Sequence, residues 1–234
     1  MISITRRTLG KPRVLGVYSF RFDAHLVPAM LANTAPFVDG WVAYDDRGAR
    51  GRFSDEVARR MALLAAAADA GAEWVLAVDP DERFEARLAR VLPRMLDGEA
   101  SAYSFDLREM YTPTRYRIDG VWGTKHQERL LDLRAGVRRP DGDLHLRWHT
   151  FLVDPVNADA GVNLYHLKMI DARRRRARAD LYQHLDPDNR MQPIGYDYLD
   201  DETGMILERI PFGRGYRPRH HDDGGLWMAD GREG

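Results

Sequence analysis

The chain has 234 residues, 44% of them hydrophobic, with 35 lysines plus arginines against 36 acids and a formal charge of -1. Length and apolar content suit one large globular domain, or one domain with a tail, and the charge balance excludes a global attraction to nucleic acid or anionic membrane, so any polyanion must be held by a local patch. Cysteine is absent, which excludes disulfides and thiolate metal sites and leaves His, Asp and Glu as the strong metal ligands.

The N-terminus is basic but has no sustained apolar core before a small-residue cleavage site, and no stretch approaches the roughly 20 apolar residues that span a bilayer. A soluble, cytoplasmic protein is expected. "RVLGVYSF" reads as a short apolar strand, and "FDAHLVPAMLANTAPF" has helical spacing despite Pro28. "VDGWVAYDD" is a second apolar run, ending on Asp45 and Asp46. "SDEVARRMALLAAAADAGAEW" predicts a helix capped by Ser54, striped by Val57, Met61, Leu64 and Ala68, and stopped at Gly71.

The third strand, "WVLAV", runs into Asp79, Asp81 and Glu82. Two readings compete for these acids. Asp79 as N-cap, Pro80 at the first helical position and Glu82 three residues after the cap make a capping box; alternatively the acids form a cation site at the lip of a sheet.

"FEARLARVLPRMLDG" predicts a further helix, closing at Gly98, and "SAYSFDLREMYTPTRYRIDGVWG" alternates as a hairpin or meander does. "ERLLDLRAG" reads as a strand, "RRPDGDLHLRWHT" as a loop, "GVNLYHLKMI" as a strand bearing His166, and "DARRRRARADLYQHL" as a helix with an Asp cap. Residues 1–185 thus form the main domain, and residues 186–234 a partly irregular C-terminal extension packed on or near its site. Strand, helix, strand, helix, strand up to Val78 is the pattern of a parallel α/β sheet, whose ligands bind beyond the carboxyl ends of the strands.

The chain resembles the GT-A fold glycosyltransferases, family 2-like group, in "RVLGVYSFRFD", "WVAYDDRG", "WVLAVDPDERFE", "LLDLR", "VNLYHLKMID" and "LDPDNRMQPIGYDYL". The resemblance spans residues 13–200 and is most specific in the aspartate, any residue, aspartate motif after an apolar strand. It implies an α/β fold with a mostly parallel central sheet flanked by helices and a smaller antiparallel acceptor-side hairpin. The implied activity is metal-dependent transfer of a sugar, with inversion, from a nucleoside-diphosphate donor to a saccharide, lipid, metabolite, protein or modified nucleic acid.

Mn2+ or Mg2+ is the implied cofactor, because a hard cation neutralises a departing diphosphate without a proton. Asp81 is then the metal ligand, Asp79 faces the ribose or reaches the metal through water, and His166 joins the metal shell. Asp45 and Asp46 match acids placed near the nucleoside; they also suit hydrogen bonds to their own turn. Glu128 in "GVWGTKHQERL" is the candidate base, although Arg129 follows it where relatives carry Asp; Asp106, Glu109 and His126 are the other candidates.

Each assignment has a plainer counterpart. His166 can pack beside Tyr165, and Glu128 can pair with Arg129 or Lys125 on the surface. Arg173, Arg174, Arg175, Arg176 and Arg178 surround one helix, so a solvated face is expected, with one or two reaching a diphosphate or an anionic acceptor. Tyr103, Tyr111, Tyr116, Trp122 and Trp148 fit acceptor loops or core, and His220, His221, Asp222 and Asp223 a solvated tail. The rival functions are a nucleotidyltransferase, disfavoured by "RFDAHLVP" in place of a Gly-rich phosphate loop, and a non-catalytic nucleotide- or sugar-binding domain.

Overall fold

The computed structural model describes residues 1–49, 55–142, 146–190 and 192–221. In chain order these form β1 (Ile2–Arg6), β2 (Val14–Phe20), α1 (Val27–Thr34), β3 (Gly40–Asp45), α2 (Glu56–Asp69), β4 (Trp74–Ala77), β5 (Glu82–Phe84), α3 (Leu88–Leu96), β6 (Ala102–Thr112), β7 (Arg115–Arg117), β8 (His126–Asp132), β9 (Asn157–His166), α4 (Ala172–Leu185) and β10 (Leu207–Arg209).

The three parallel-type strands foreseen at the N-terminal end are present. β2 pairs in parallel with β3 on one side and β4 on the other. Alternation along β4 sends Trp74 and Leu76 into one core cluster, with Met30 of α1 and Leu88 and Leu92 of α3, and Val75 and Ala77 into another, with Val57, Leu64 and Ala67 of α2. Each fully buried Leu or Val here stabilises the fold by roughly 1.5–3 kcal/mol relative to exposure. Asp55 caps α2 by accepting from the Ala58 amide, and Ala67 rather than Ala68 completes its buried stripe. Ser54, the expected cap, lies outside the described residues.

Beyond β4 the expectation of a mostly parallel, helix-flanked GT-A sheet fails. All ten strands belong to one mixed sheet, whose main path β1-β3-β2-β4-β8-β6-β7-β10 curls as a half-barrel. Only β2–β3, β2–β4 and β6–β9 are parallel; β1–β3, β4–β8, β5–β9, β6–β7, β6–β8 and β7–β10 are antiparallel. The cause is the eleven-residue β6, which takes partners on both edges and carries the sheet onward through hairpins where a parallel fold would insert crossover helices. Four α-helices are found among the described residues, too few to flank such a sheet.

Of the two readings of these acids, the helix start fails. Residues 79–82 do not start a helix: Glu82–Phe84 is the short strand β5, held antiparallel to β9 with Glu82 opposite His166. Yet the capping-box bond survives without the helix, since Glu82 Oε2 accepts from the Asp79 amide at 2.9 Å.

The described part of the C-terminal extension is built into the body. β10 pairs with β7, Tyr196 and Leu199 pack with Tyr111, Trp122 and Met169, and Tyr216 packs with Met110 and Tyr165. Arg214 forks onto the fully buried Glu85 at 2.9 and 2.8 Å.

Candidate functional site

A polar cavity of about 640 Å³ opens where β2, β3 and β4 end, and its far wall comes from β8, β9 and α4. It is lined by residues just past the three parallel strands, among them Asp23, Asp46, Asp79 and Asp81. This is the strand edge at which α/β sheets bind ligands.

Backbone pairing places the central contact. The β5–β9 register sets Glu82 against His166, and the Leu167 amide donates to the Asp81 carbonyl at 2.8 Å, so the aspartate turn is stitched to the end of β9. As a result His166 Nε2 lies 3.2 Å from Asp81 Oδ2. The other ring nitrogen lies 3.1 Å from Glu109 Oε2, and Glu109 is fully buried.

Burial and Lys168 act to push the His166 pKa down, but Asp81 and Glu109 outweigh them and raise it to about 9. Burial likewise acts to raise Asp81, and the positive charges of His166, Arg178 and Lys168 overcome it and hold that carboxyl well below its ordinary range. At neutral pH the pair is an imidazolium against a carboxylate.

Asp79 faces a different partner. Arg129 Nη2 lies 2.8 Å from Asp79 Oδ2 and also pairs with Glu82, which is 1% exposed. Asp81 and His166 therefore meet, while Asp79 is drawn to Arg129; among the described residues no three His, Asp or Glu side chains gather as a ready metal cage.

Of the two acids after β3, Asp46 lines the cavity and pairs with Arg59 at 3.3 Å. Asp45 lies outside the lining and is gripped by the Arg47 fork at 2.9 and 2.7 Å, which lowers its carboxyl to about 2. Glu128 is buried but outside the lining, bound by Arg147 at 2.9 and 2.5 Å and close to His149 at 3.2 Å. Its neighbours Gln127 and Arg129 are the ones that reach the cavity. Asp106 lies off the lining, paired with Arg108 at 3.0 Å and His126 at 3.2 Å, whereas His126 and Glu109 both line the cavity.

One of the five helix arginines, Arg178, lines the cavity. Arg174 and Arg175 are buried, Arg175 donating to the Met169 carbonyl at 2.7 Å, while Arg173 and Arg176 pair with Asp171 and Asp200. The aromatics divide: Trp148 lines the cavity under Arg60, whose guanidinium stands 4.6 Å from its ring, and Tyr103, Tyr111, Tyr116 and Trp122 are packed in the core clusters. His220 and His221 are described and lie off the cavity lining; Asp222 and Asp223 lie outside the described residues.

Sequence reasoning passed over Asp23. It lines the cavity, and burial, followed by repulsion from Asp81 and Asp79, raises its carboxyl to about 7. The signal was available, since Asp23 follows β2 as Asp79 follows β4.

No protein-family model matches the chain, and no curated protein sequence matches it. Among the described residues no helix is long and apolar enough to cross a membrane.

Proposed function

We propose that the cavity transfers a glycosyl group from a nucleoside-diphosphate donor to an acceptor hydroxyl, with a divalent cation held by Asp81 and His166. The observation that carries this reading is the 3.2 Å approach of Asp81 and His166 on the wall of a 640 Å³ cavity beyond parallel strands. Binding a cation requires His166 to release its proton, after which its Nε2 and the Asp81 carboxylate offer one nitrogen and one oxygen, a set that suits Mn2+ better than Mg2+; both ions complete their shells with phosphate oxygens and water rather than with an all-protein cage. When bound, the cation supplies charge neutralisation for the leaving diphosphate.

The protein's own groups have separate tasks. Asp46, anchored by Arg59, accepts from a donor hydroxyl or base N–H. Asp23 takes the proton of the attacking hydroxyl, because its raised carboxyl is matched to neutral pH and it faces the cavity. Glu128 is assigned no proton transfer here, as Arg147 and His149 hold it off the cavity lining.

The test is calorimetric binding of nucleoside diphosphates with and without manganese. Binding to the parent chain strengthens with manganese, and Asp81→Ala weakens the manganese-dependent part about tenfold or more. Equal affinity with and without the metal, or an unaltered D81A titration, overturns the assignment. With a competent donor, nucleoside diphosphate rather than pyrophosphate is released, and Asp23→Asn lowers turnover roughly a hundredfold while leaving donor binding in place.

A further inference from the structure

The chain contains three lysines, Lys11, Lys125 and Lys168, among its 35 lysines plus arginines. Lys11 is on the surface, its side chain 68% exposed. The other two meet inside the cavity on a single acid: Lys168 Nζ lies 3.3 Å and Lys125 Nζ 3.7 Å from Glu109 Oε1. Arg178 lines the same corner, near enough for its charge to act on both lysines.

Glu109 is one carboxylate serving two ammonium groups and, through its second oxygen, His166. Cations at this density repel one another: burial, then Lys168 and Arg178, lower the Lys125 amine to about 8 in spite of Glu109. The Trp122 ring stands 4.1 Å from Lys125 Nζ and offers its face to the ammonium. Such an excess of buried positive charge is relieved by a ligand carrying more than one negative charge, and compact ammonium groups bind phosphoryl oxygens as point charges.

We propose that Lys125, Lys168 and Arg178 form a phosphoryl-binding corner that holds a doubly charged phosphate group without a metal ion. The corner goes beyond the transfer reading and does not need Asp81. Its phosphoryl group comes either from the donor's diphosphate or from a phosphate ester on the acceptor.

The experiment uses the parent chain in EDTA with inorganic pyrophosphate. Reductive methylation, read lysine by lysine, slows at Lys125 and Lys168 when pyrophosphate is present, while Lys11 serves as the unprotected control. Calorimetry then shows pyrophosphate binding about tenfold weaker in Lys125→Met and in Lys168→Met, and retained in Lys125→Arg. Equal labelling with and without pyrophosphate overturns the proposal, as do parent-like titrations by both methionine variants; the labelling arm needs no variant to fold. Protection by a nucleoside diphosphate but not by glycerol phosphate assigns the corner to the donor, and the reverse assigns it to the acceptor. Pyrophosphate binding in EDTA alongside a failed manganese test leaves the corner standing and removes the transfer reading.

Discussion

An Arg129→Met chain is expected to unfold with about 3–5 kcal/mol less free energy than the parent, and adding Glu82→Gln is expected to return most of the loss. Arg129 is buried, pairs with Glu82 and reaches Asp79 at 2.8 Å. Glu82 is 1% exposed, and burial already pushes its carboxyl upward against the pull of Arg129. Taking the guanidinium away leaves a carboxylate that must either stay charged in a dry site or bind a proton, and both are costly. Asp79 suffers less, because 46% of its side chain is exposed and water can solvate it. Glutamine at position 82 removes the charge yet keeps an oxygen for the Asp79 amide, which now donates to Glu82 Oε2. Urea unfolding at neutral pH measures all three chains. A loss below about 1 kcal/mol in R129M, or no recovery in the double variant, would show that the pair does not hold the acidic turn in place.

The same turn shows where local pattern carries information and where it stops. Helices α2 and α4 are legible because their signals are local: α2 shows an apolar stripe, although its cap is Asp55 rather than the expected Ser54, and α4 starts at the expected Asp171 cap, which accepts from the Arg173 amide. β2, β3 and β4 are legible as apolar runs because they are buried on both faces. The sequence around Asp79 carries a capping box that forms its bond, yet Glu82–Phe84 is drawn into a strand by β9, which lies far along the chain. A local pattern cannot weigh that distant partner.

Strand direction is hidden for a related reason. β4 and β8 read alike as apolar segments, and their antiparallel pairing is set by how the chain returns through β6. β1 carries only Ile2 and Ile4 as an alternating signal, too short to read as a strand, and its five residues are exposed along the β3 edge. In the site, the side of the sheet decided legibility. Asp81 and His166 are joined by the β5–β9 register, whereas Glu128, equally suggestive as a lone acid beside a loop, points to Arg147. The lysine corner was countable in the sequence but visible only once Lys125 and Lys168 met on Glu109.

In metal-free buffer the folded chain is expected to lose stability as pH rises from about 6.5 to about 9, with His166 contributing about 3 kcal/mol to that fall. The His166 pKa is raised from 6.5 to about 9, so between those values the folded chain holds a proton that the unfolded chain has released. The contribution is complete below 6.5 and is lost as pH climbs through 9. Other groups bend the curve, Lys168 among them, since burial lowers its amine and so adds a rise on the alkaline side. Asp23, raised from 3.8 to about 7, adds a fall of the same sign that ends near 7, and Lys125, lowered from 10.5 to about 8, adds a rise that begins near 8. The interval from about 7 to about 8 lies between the Asp23 and Lys125 steps and inside the His166 one. Replacing His166 with glutamine removes its slope from that interval while Asp23 and Lys125 keep theirs, so the difference between parent and H166Q unfolding curves isolates it. Parallel curves would mean that His166 enters the folded chain uncharged, and the ionic contact between Asp81 and His166 would then have to be abandoned as the electrostatic centre of the site.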